Sequence, residues 1–396
     1  MANEFRKQAV ERIAAEASEW RHELHAHPQT MYEETFASDL VCRKLTEWGI
    51  PFSRGLAVTG VVASVEGRRN TSGRAVAFRA DMDALDINEE SGQPWASRIP
   101  GKMHACGHDG HTATLLALAR YLRETRNFDG TARLIFQPAE EGGAGALRML
   151  NDGLLETFPF DEIYGFHNFP SLPRGLFSLS PGKMLAAVDA FDVQLKGKGG
   201  HGGLPELAND VLPAIASLAI SLPGIVSREI PPAEAASLTV TNIRGGTGNF
   251  NVISGEAALS GNVRTFREAD RAHIEARIRQ IADSLAQMFR GEAIVKYQRI
   301  IDPVINDPVS VQYCETAARK VSGEVKPFSP IMAGEDFGGF LKVRPGAFII
   351  LGQAESEPSS PHNFSVHHPR YDFNDRIIPV AVEYFAELAE SRMPLD

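Results

Sequence analysis

The amino-acid sequence predicts an α/β protein, in which a mostly parallel sheet carries helices on both faces and a smaller α+β domain is inserted into the chain. Two observations predict this fold class. Short apolar strands alternate with helical patterns in both outer parts of the chain, which favours a parallel sheet. The central part instead contains strands of alternating apolar and polar residues, as in an antiparallel sheet with one buried face. A chain of 396 residues is also too long for one ordinary core, so two domains are expected.

The first part of the chain supplies the strand–helix alternation. Helical periodicity covers residues 4–21 and 34–48, and strands rich in valine and alanine are predicted at 60–66 and 74–79. The elements predicted after them are a helix at 112–124, a strand at 132–136, a helix at 145–151 and a strand at 162–166. Polar side chains follow several of these strands, and sites in open α/β sheets form beyond the carboxyl ends of strands.

The inserted domain is predicted at residues 187–299, and the larger, discontinuous domain at 1–186 and 300–396. The elements expected in the insertion are strands at 189–195, 237–243, 251–253 and 257–265 and helices at 210–222 and 268–290. A domain of about 110 residues is within the usual size range. The α/β pattern then resumes, with a strand at 348–352 and a closing helix at 376–392.

Composition and charge exclude several classes of function. A formal net charge of −10 argues against a nucleic-acid surface, although a few local cations could still hold an acidic substrate. The chain has no apolar run long enough to span a membrane, and its first 20 residues lack a signal-peptide core. Three cysteines are too few for a disulfide framework. We therefore expect a protein of the reducing cytoplasm with no nucleic-acid or membrane partner.

The residues with the most distinctive chemistry lie in one stretch, residues 101–111, which reads GKMHACGHDGH. Cysteine and histidine at this density are typical of a transition-metal site, and the glycines allow the backbone to turn tightly around an ion. Cys106 and His108, two residues apart on a turn, can reach one metal. The alternative is a glycine-rich turn with surface histidines.

Further candidate residues follow two other predicted strands. Glu140 and Glu141 lie between a strand and a glycine-rich turn, where one carboxylate can bind a metal while the other acts as a base. A solvated loop is the alternative for this pair. His167 ends another apolar strand, and the sequence leaves open whether it is a ligand or a core histidine.

Motifs along nearly the whole chain resemble the hippurate hydrolase-like branch of the dinuclear-metal aminoacylase and carboxypeptidase family, which includes N-acyl-amino-acid amidohydrolases and plant auxin-conjugate hydrolases. In chain order the motifs are RHELHAHP at 21–28, RADMDAL at 79–85, CGHDGH at 106–111, QPAEEG at 137–142, GFH at 165–167, GKGGH at 197–201, GEDF at 334–337 and HHPRYDF at 367–373. Any one motif is moderate support, whereas all of them in this order are highly specific.

The resemblance implies two divalent ions per chain, which could be zinc, manganese, cobalt or nickel. The ligands that it implies are Cys106, His108, Glu141, His167 and His367. His362 is a weaker candidate for the last of these positions, and His104 and His111 match motif positions that are not ligands in the family. Asp81 and Asp83 would orient the ligands, although capping or ion-pair roles are also open.

The activity implied is hydrolysis of the amide bond of N-acyl or N-aroyl amino acids. The metals would acidify a water molecule, and Glu140 would act as general base and then pass the proton to the leaving amine. The resemblance also implies a homodimer, in which the inserted domain acts as a lid and dimerisation domain and supplies His201 to the partner's site as an oxyanion donor. Asn251 and Arg264 match its substrate-facing motifs. From the residues alone, His201 is better explained as a surface residue of a flexible glycine loop, and Arg264 could form a surface ion pair.

Three other functions are alternatives. The protein could be a thiol amidase with Cys106 as nucleophile and a nearby histidine as base. It could be a dipeptidase or carboxypeptidase of the same family. It could also be a non-catalytic metal- or peptide-binding module, although such a module would not need Glu140. The sequence departs from the family pattern at residues 202–206, Ser254, Asn262 and Asp86, mostly near the substrate side, so the acyl group and the amino acid stay open.

Overall fold

The computed structural model describes residues 2–395 and divides into two compact units. The larger unit consists of Met1–Met184, Ile305–Ser329 and Asp336–Asp396, and the inserted unit consists of Leu185–Val304 and Pro330–Glu335.

The helices and strands alternate through much of the chain. The strands are β1 (Phe52–Leu56), β2 (Gly60–Glu66), β3 (Ala75–Asp81), β4 (Thr131–Gln137), β5 (Glu162–Pro173), β6 (Phe177–Ser178), β7 (Gly182–Leu185), β8 (Ala187–Lys196), β9 (Gly200–His201), β10 (Ala236–Gly245), β11 (Val252–Ile253), β12 (Glu256–Thr265), β13 (Glu292–Ile301), β14 (Val304–Asn306), β15 (Val325–Lys326) and β16 (Gly346–Ala354). The helices are α1 (Ala2–His25), α2 (Thr35–Glu47), α3 (His108–Thr125), α4 (Gly145–Asn151), α5 (Leu154–Thr157), α6 (Leu212–Ser221), α7 (Pro223–Glu229), α8 (Glu268–Met288), α9 (Pro308–Ser322), α10 (Gly338–Leu341) and α11 (Ile378–Arg392). Within residues 2–395, none of the helices combines the length and the apolar character that a membrane crossing requires.

The larger unit is built on an eight-stranded sheet of order β1-β2-β4-β3-β5-β16-β6-β15. The pairings β3–β4, β3–β5, β5–β16 and β6–β15 are parallel. The pairings β1–β2, β2–β4 and β6–β16 are antiparallel. The prediction of a mostly parallel sheet with helices is therefore confirmed, with the antiparallel pairings towards the two edges.

The register of the central strands brings their carboxyl ends to one edge of the sheet. Asp81, at the end of β3, pairs with Gln137 at the end of β4. Arg79 pairs with Gly165 of β5, so His167, two residues later in β5, lies at the level of Asp81. Side chains at the ends of three strands, and in the loops that follow, therefore meet in one place.

Helix α3 begins at His108, four residues earlier than the sequence predicts. The chain enters it through Gly107, which has a left-handed φ of 98°. A Cβ atom at this position would lie 2.6 Å from side-chain atoms of both Asn168 and Tyr371, so the close approach requires glycine. The first turn of α3 is consequently buried, and its histidines face the protein interior rather than solvent.

The inserted unit contains a four-stranded antiparallel sheet of order β10-β12-β8-β13. Strands β8 and β12 show the predicted alternation, because every second residue is buried. The core of this unit combines those residues with apolar side chains of α6, α7 and α8. Strand β13 is not predicted from the sequence. It is an edge strand in which no residue is fully buried, so its hydrophobic pattern is weak.

A buried ion pair joins α8 to β8 within the inserted unit. The Arg271 guanidinium contacts both carboxylate oxygens of Asp189, with Nη2 2.5 Å from Oδ1 and Nε 3.0 Å from Oδ2. The Tyr297 hydroxyl donates to the same carboxylate at 2.7 Å. Because both charges are almost fully buried, the loss of the guanidinium would leave the Asp189 carboxylate without its counter-ion.

We expect Arg271→Ala to lower the free energy of unfolding by about 3–5 kcal/mol, the usual cost of removing one partner from a buried ion pair. Arg277→Ala is the matched control, since Arg277 lies on the same helix and pairs with Glu229 where both side chains are more than a quarter exposed. Its loss should cost about 0–1 kcal/mol. Urea unfolding followed by circular dichroism measures both values, and equal losses would contradict the expected difference.

Candidate metal centre

The polar residues beyond the central strands form one cluster in the larger unit. Ligand atoms of Cys106, His108 and His167 all lie within 4.8 Å of one another. Ligand atoms of Cys106, Glu141 and His367 satisfy the same limit. The five ligands that the sequence predicts therefore form two groups that share Cys106.

Glu140 lies beside these two groups. An oxygen of its carboxylate and ligand atoms of His108 and Glu141 are within 4.8 Å of one another. Glu140 Oε1 also accepts a hydrogen bond of 3.3 Å from the backbone N–H of Asp336. The two neighbouring glutamates thus reach the same cluster, and Glu141 contacts His367.

Hydrogen bonds fix the orientation of two of the imidazole rings. His167 Nδ1 lies 2.7 Å from the Asn168 carbonyl oxygen and must donate to it, so in a neutral ring Nε2 carries the lone pair, 3.3 Å from Cys106 Sγ. His108 Nδ1 lies 3.2 Å from Asp83 Oδ1, and its Nε2 is directed into the cluster. Such contacts at the far nitrogen are the usual way in which proteins orient histidine ligands.

Asp83 contacts Glu141 as well as His108. Its Oδ2 accepts a hydrogen bond of 2.9 Å from the Glu141 backbone N–H, while its Oδ1 contacts His108. One buried carboxylate thereby links the turn after β4 to the start of α3.

His111 and His104 differ from the clustered histidines. Both nitrogens of His111 are engaged, with Nδ1 2.6 Å from Asp81 Oδ1 and Nε2 2.8 Å from Asn168 Oδ1. The other Asp81 oxygen accepts from the Arg79 guanidinium at 2.7 Å. His104 is buried, and burial lowers its pKa to about 4. Among the described residues, His104 belongs to no group of potential metal ligands. His111 is grouped with Asp81 and with only one of the five predicted ligands, His108.

The electrostatics of the cluster favour a positive charge within it. Burial lowers the pKa of His108, but the Asp81 carboxylate and Cys106 outweigh this effect and hold that pKa well above its usual value. Burial raises the pKa of Glu141, and the hydrogen bond and charge of His367 and the charge of His108 bring that pKa below its usual value. Burial also lowers the pKa of His167 to about 3, which keeps its imidazole neutral, as a ligand must be.

Two buried atoms lack the partners that burial normally demands. Within residues 2–395, neither His108 Nε2 nor Glu141 Oε1 has a hydrogen-bond partner, and the two atoms lie 4.0 Å apart. Their other contacts are ionic, from His108 Nε2 to Asp81 Oδ2 at 3.7 Å and from Glu141 Oε1 to His367 Nε2 at 3.2 Å. Buried polar atoms without hydrogen-bond partners lower the stability of the folded protein unless a water molecule, ligand or ion interacts with them. A divalent cation would satisfy both, and a mixed set of sulfur, nitrogen and oxygen donors suits a borderline transition metal. The residues present therefore fit such an ion.

The C-terminal histidine of the cluster is His367 and not His362. The His367 backbone adopts a left-handed φ of 67°, and its N–H donates to the Ala105 carbonyl at 2.7 Å, next to Cys106. His362 Nδ1 instead faces the Asp372 carbonyl oxygen at 3.1 Å. Among the residues that the structure describes, His362 belongs to no group of potential metal ligands.

The profile of peptidase family M20/M25/M40 matches residues 77–391, which is most of the chain. The chain belongs to this family. The resemblance inferred from the eight sequence motifs is therefore confirmed.

Several known proteins are similar to this M20 family member over almost its full length. N-acetylcysteine deacetylase of Bacillus subtilis is 35% identical over 371 residues, which cover 93% of this chain and 94% of the relative. Hippurate hydrolase of Campylobacter jejuni is 34% identical over 380 residues, which cover 95% and 96%. The crystal structure of the Bacillus subtilis YXEP protein, described as a dinuclear metal binding peptidase from the M20 family, superposes with a TM-score of 0.83 at 32% identity and covers 97% of this chain and 99% of that one.

The other predicted site residues of this M20 family member lie in the inserted unit. His201 is exposed on β9, where it pairs with Val252 of β11, and the Gly202 N–H donates to the Asn251 carbonyl at 2.7 Å. His201 and Asn251 are thus neighbours. Arg264 is half-buried on β12, and burial lowers its pKa.

Some residues that organise the cluster were not singled out from the sequence. Asp336 is buried, and its carboxylate accepts hydrogen bonds from Arg79, Gln137 and the Ala146 backbone N–H. Asn168 holds His111 and receives support from Tyr371 and Gln353. The sequence motifs that carry the family resemblance could have identified four of these residues, because the motifs include Arg79, Gln137, Asp336 and Tyr371. Asn168 and Gln353 gave no such signal.

Proposed function

We propose that this M20 family member is a metal-dependent amidohydrolase that binds two divalent ions and cleaves the amide bond of N-acyl amino acids. The observation that carries the proposal is the pair of ligand groups that share Cys106, with Glu140 beside them. The names of the relatives support the substrate class, because one is a hippurate hydrolase and another an N-acetylcysteine deacetylase. The metal pair is supported by the YXEP protein, which is described as dinuclear and metal binding.

The five residues Cys106, His108, Glu141, His167 and His367 would hold the ions. Their mixed donors suit zinc, manganese, cobalt or nickel. When bound, the ions would lower the pKa of a water molecule and polarise the amide carbonyl.

Proton transfer is assigned to Glu140. Its carboxylate reaches the cluster, while Glu141 makes the contact with His367, so the two neighbouring glutamates can divide the roles of base and ligand. Glu140 would accept the proton of the attacking water and return it to the nitrogen of the leaving amine as the C–N bond breaks. This exchange regenerates the carboxylate for the next cycle.

Arg264 is the proposed partner of the substrate carboxylate. Its guanidinium is half-buried, and no carboxylate among the described residues lies within ion-pair distance of it. A planar guanidinium binds a carboxylate with two parallel hydrogen bonds, which suits the amino-acid half of the substrate. Asn251, next to His201, would contribute a further polar contact.

The thiol amidase is the less favourable alternative. Burial and the neighbouring Glu141 charge raise the pKa of Cys106 well above its usual value, which disfavours the free thiolate that a nucleophile needs. His167, which contacts the sulfur, has a pKa of about 3 because it is buried, so it is a poor base. A cation at the cluster is the condition under which this thiolate becomes stable.

We further propose a homodimer formed through the inserted unit. Strand β10 is an edge strand with an exposed outer half, and it carries the exposed Ile243. Phe250, in the turn that follows, is fully exposed. An exposed strand edge with apolar side chains is typically covered by a partner, and a second copy of the same chain can cover it symmetrically. In that dimer His201 would serve as oxyanion donor in the partner's site, and the inserted unit would act as lid and dimerisation domain.

A cytoplasmic location is proposed from the cysteines. Cys42, Cys106 and Cys314 are all free thiols, and two of them are buried. A free thiol in the centre of the site is compatible with a reducing compartment.

The first prediction concerns metal content. Elemental analysis should find about two divalent ions per chain, the number that the two ligand groups imply. His367→Ala should sharply weaken the binding of one ion because it removes a ligand, whereas the matched control His362→Ala should leave both. Metal titration of the two variants measures this ranking, and the reverse ranking would assign the ligand role to His362.

The second prediction concerns the general base. Glu140→Gln should keep both ions, since Glu141 is the ligand, but lower kcat by at least about a hundredfold, the usual contribution of general base catalysis. Hydrolysis of hippurate and of a panel of N-acetyl amino acids measures kcat, and elemental analysis measures the ions. Turnover close to wild type with both ions in place would remove Glu140 from the reaction.

The third prediction concerns shared sites. His201→Ala should lower kcat by roughly ten- to a thousandfold through loss of an oxyanion donor, with metal content unchanged. His273→Ala is the control, because His273 is an exposed histidine of the same unit that pairs with Glu229. Subunit exchange between His201→Ala and Glu140→Gln should restore part of the activity, since one hybrid site then has both groups. Verified heterodimers that stay inactive would show that His201 does not act across subunits.

A further inference from the structure

We propose that Glu34 is a positioning residue for Glu140, which it serves by holding the backbone of the turn that carries this base. The inference rests on the function proposed above, because it assigns Glu34 to the same reaction. The sequence places Glu34 only at the start of a helix, and Glu34 itself is absent from the groups of potential ligands among the described residues.

The Glu34 side chain is fully buried and makes three hydrogen bonds. Its Oε1 accepts from the backbone N–H of Ala139 at 2.9 Å and from the backbone N–H of Tyr32 at 2.9 Å. Its Oε2 accepts from the Thr59 hydroxyl at 2.6 Å. The carboxylate therefore connects the loop before α2, the turn before strand β2 and the residue immediately before Glu140.

These bonds do not serve the helix that Glu34 precedes. Glu34 occupies the N-cap position of α2, where the oxygen of a capping side chain accepts from the backbone N–H of the second or third helical residue. Here it makes no such capping bond. The side chain is directed instead to Ala139, which is 105 positions away in the chain.

The residue that Glu34 holds has a strained backbone. Ala139 adopts a left-handed φ of 56°, which is unfavourable for a residue with a side chain and persists only where surrounding contacts enforce it. The turn also closes tightly, because the Gly145 N–H donates to the Ala139 carbonyl at 3.0 Å. A Cβ atom on Gly145 would lie 1.7 Å from the Pro138 carbonyl oxygen. This segment therefore depends on outside contacts for its conformation.

The same loop holds the turn at a second point. The Tyr32 hydroxyl donates to the Gly143 carbonyl at 2.5 Å, while the Tyr32 backbone N–H donates to Glu34. Tyr32 and Glu34 thus fix both ends of the segment from Ala139 to Gly143. Glu140 and Glu141 lie between these two points.

Glu34 and Asp83 hold the backbone on opposite sides of Glu140. Asp83 accepts from the Glu141 N–H and also contacts His108, so it supports two proposed metal ligands. Glu34 accepts from Ala139, and among the described residues it forms no hydrogen bond or ion pair with Glu141 or His108. The loss of Glu34 should therefore displace the base more than it disturbs the ions.

The position of a general base strongly affects the rate of the reaction that it catalyses. Glu140 must lie within hydrogen-bond reach of the attacking water and then of the leaving amine, and a displacement of about 1 Å can cost on the order of a hundredfold in rate. A turn that relaxes away from its left-handed conformation would move the Glu140 carboxylate by changing its Cα–Cβ direction.

The central experiment compares Glu34→Ala with Glu34→Gln. Glu34→Ala should lower kcat by about ten- to a hundredfold, as expected for a misplaced base, with KM changed less than about threefold and about two ions retained. Glu34→Gln should recover most of kcat, because its amide oxygen can accept from Ala139 and Tyr32 while its amide nitrogen donates to the Thr59 hydroxyl. A role that needs the negative charge would show no such recovery.

Hydrogen–deuterium exchange provides a readout that is independent of activity. In the metal-free protein, Glu34→Ala should speed exchange in a peptide that covers residues 137–145, since the Ala139 N–H loses its acceptor. Glu34→Gln should leave this peptide protected. Glu162→Ala is the matched control, because Glu162 is also a buried carboxylate with several partners, among them Arg392, but lies at the amino end of β5. It should lower stability without changing exchange at 137–145.

The outcomes separate the two proposals. Full kcat in metal-loaded Glu34→Ala, together with an inactive Glu140→Gln, would overturn the positioning role and leave the function intact. An active Glu140→Gln would instead remove Glu140 from the reaction, and a metal-loaded wild type that hydrolyses no N-acyl amino acid would refute the proposed function. In both cases the exchange data would still decide whether Glu34 holds the turn. Loss of the ions in Glu34→Ala, or exchange unchanged at 137–145, would also overturn the inference. If Glu34→Ala does not fold, Glu34→Asp replaces it, since its shorter side chain cannot span both Ala139 and Thr59.

Discussion

The parallel hydrogen bonding of β3 to β4 and β5 is the constraint on which the candidate site depends. This register sets Asp81, Gln137 and His167 at one edge of the sheet, although they are 56 and 30 positions apart in the chain. Glu140 follows the end of β4 by three residues and Cys106 follows the end of β3 by 25, and each lies in a group of potential ligands with His108. A shift of one residue in either pairing would reverse the faces of the side chains and separate the ligands.

Buried carboxylates form a second level of organisation around this edge. Asp83, Asp336 and Glu34 each accept backbone N–H groups of the loop that follows β4 or of the helix after it. Because these acceptors are buried, their bonds are protected from competition by water, and an unpaired partner would be costly. The loop therefore has little freedom even though it is not part of a regular element.

Elements that depend on local sequence patterns were predicted correctly, whereas features that depend on contacts between residues distant in the chain were not. Strand β2 and helix α4 have the predicted bounds, because hydrophobic periodicity and turn residues are local signals. The start of α3 was misplaced, since Gly107 is fixed by contacts with Asn168 and Tyr371, which are 61 and 264 positions later. Edge strand β13 was missed because its side chains are poorly buried and leave a weak pattern.

The sequence by itself determined the chemical character of the site: the cysteine, histidine and glutamate donors, their order in the motifs, and the family to which the chain belongs. The tertiary structure decided how these donors are used. It placed His367 and not His362 beside Glu141, and it directed His108 Nε2 and His167 Nε2 into the cluster through contacts at the opposite ring nitrogens. It also made Glu34, which the sequence places only at the start of a helix, an acceptor for the Ala139 N–H. The physical reason is that a hydrogen bond requires two groups to be close in space. Glu34 and Ala139 are 105 positions apart in the chain, so no local sequence pattern predicts their contact.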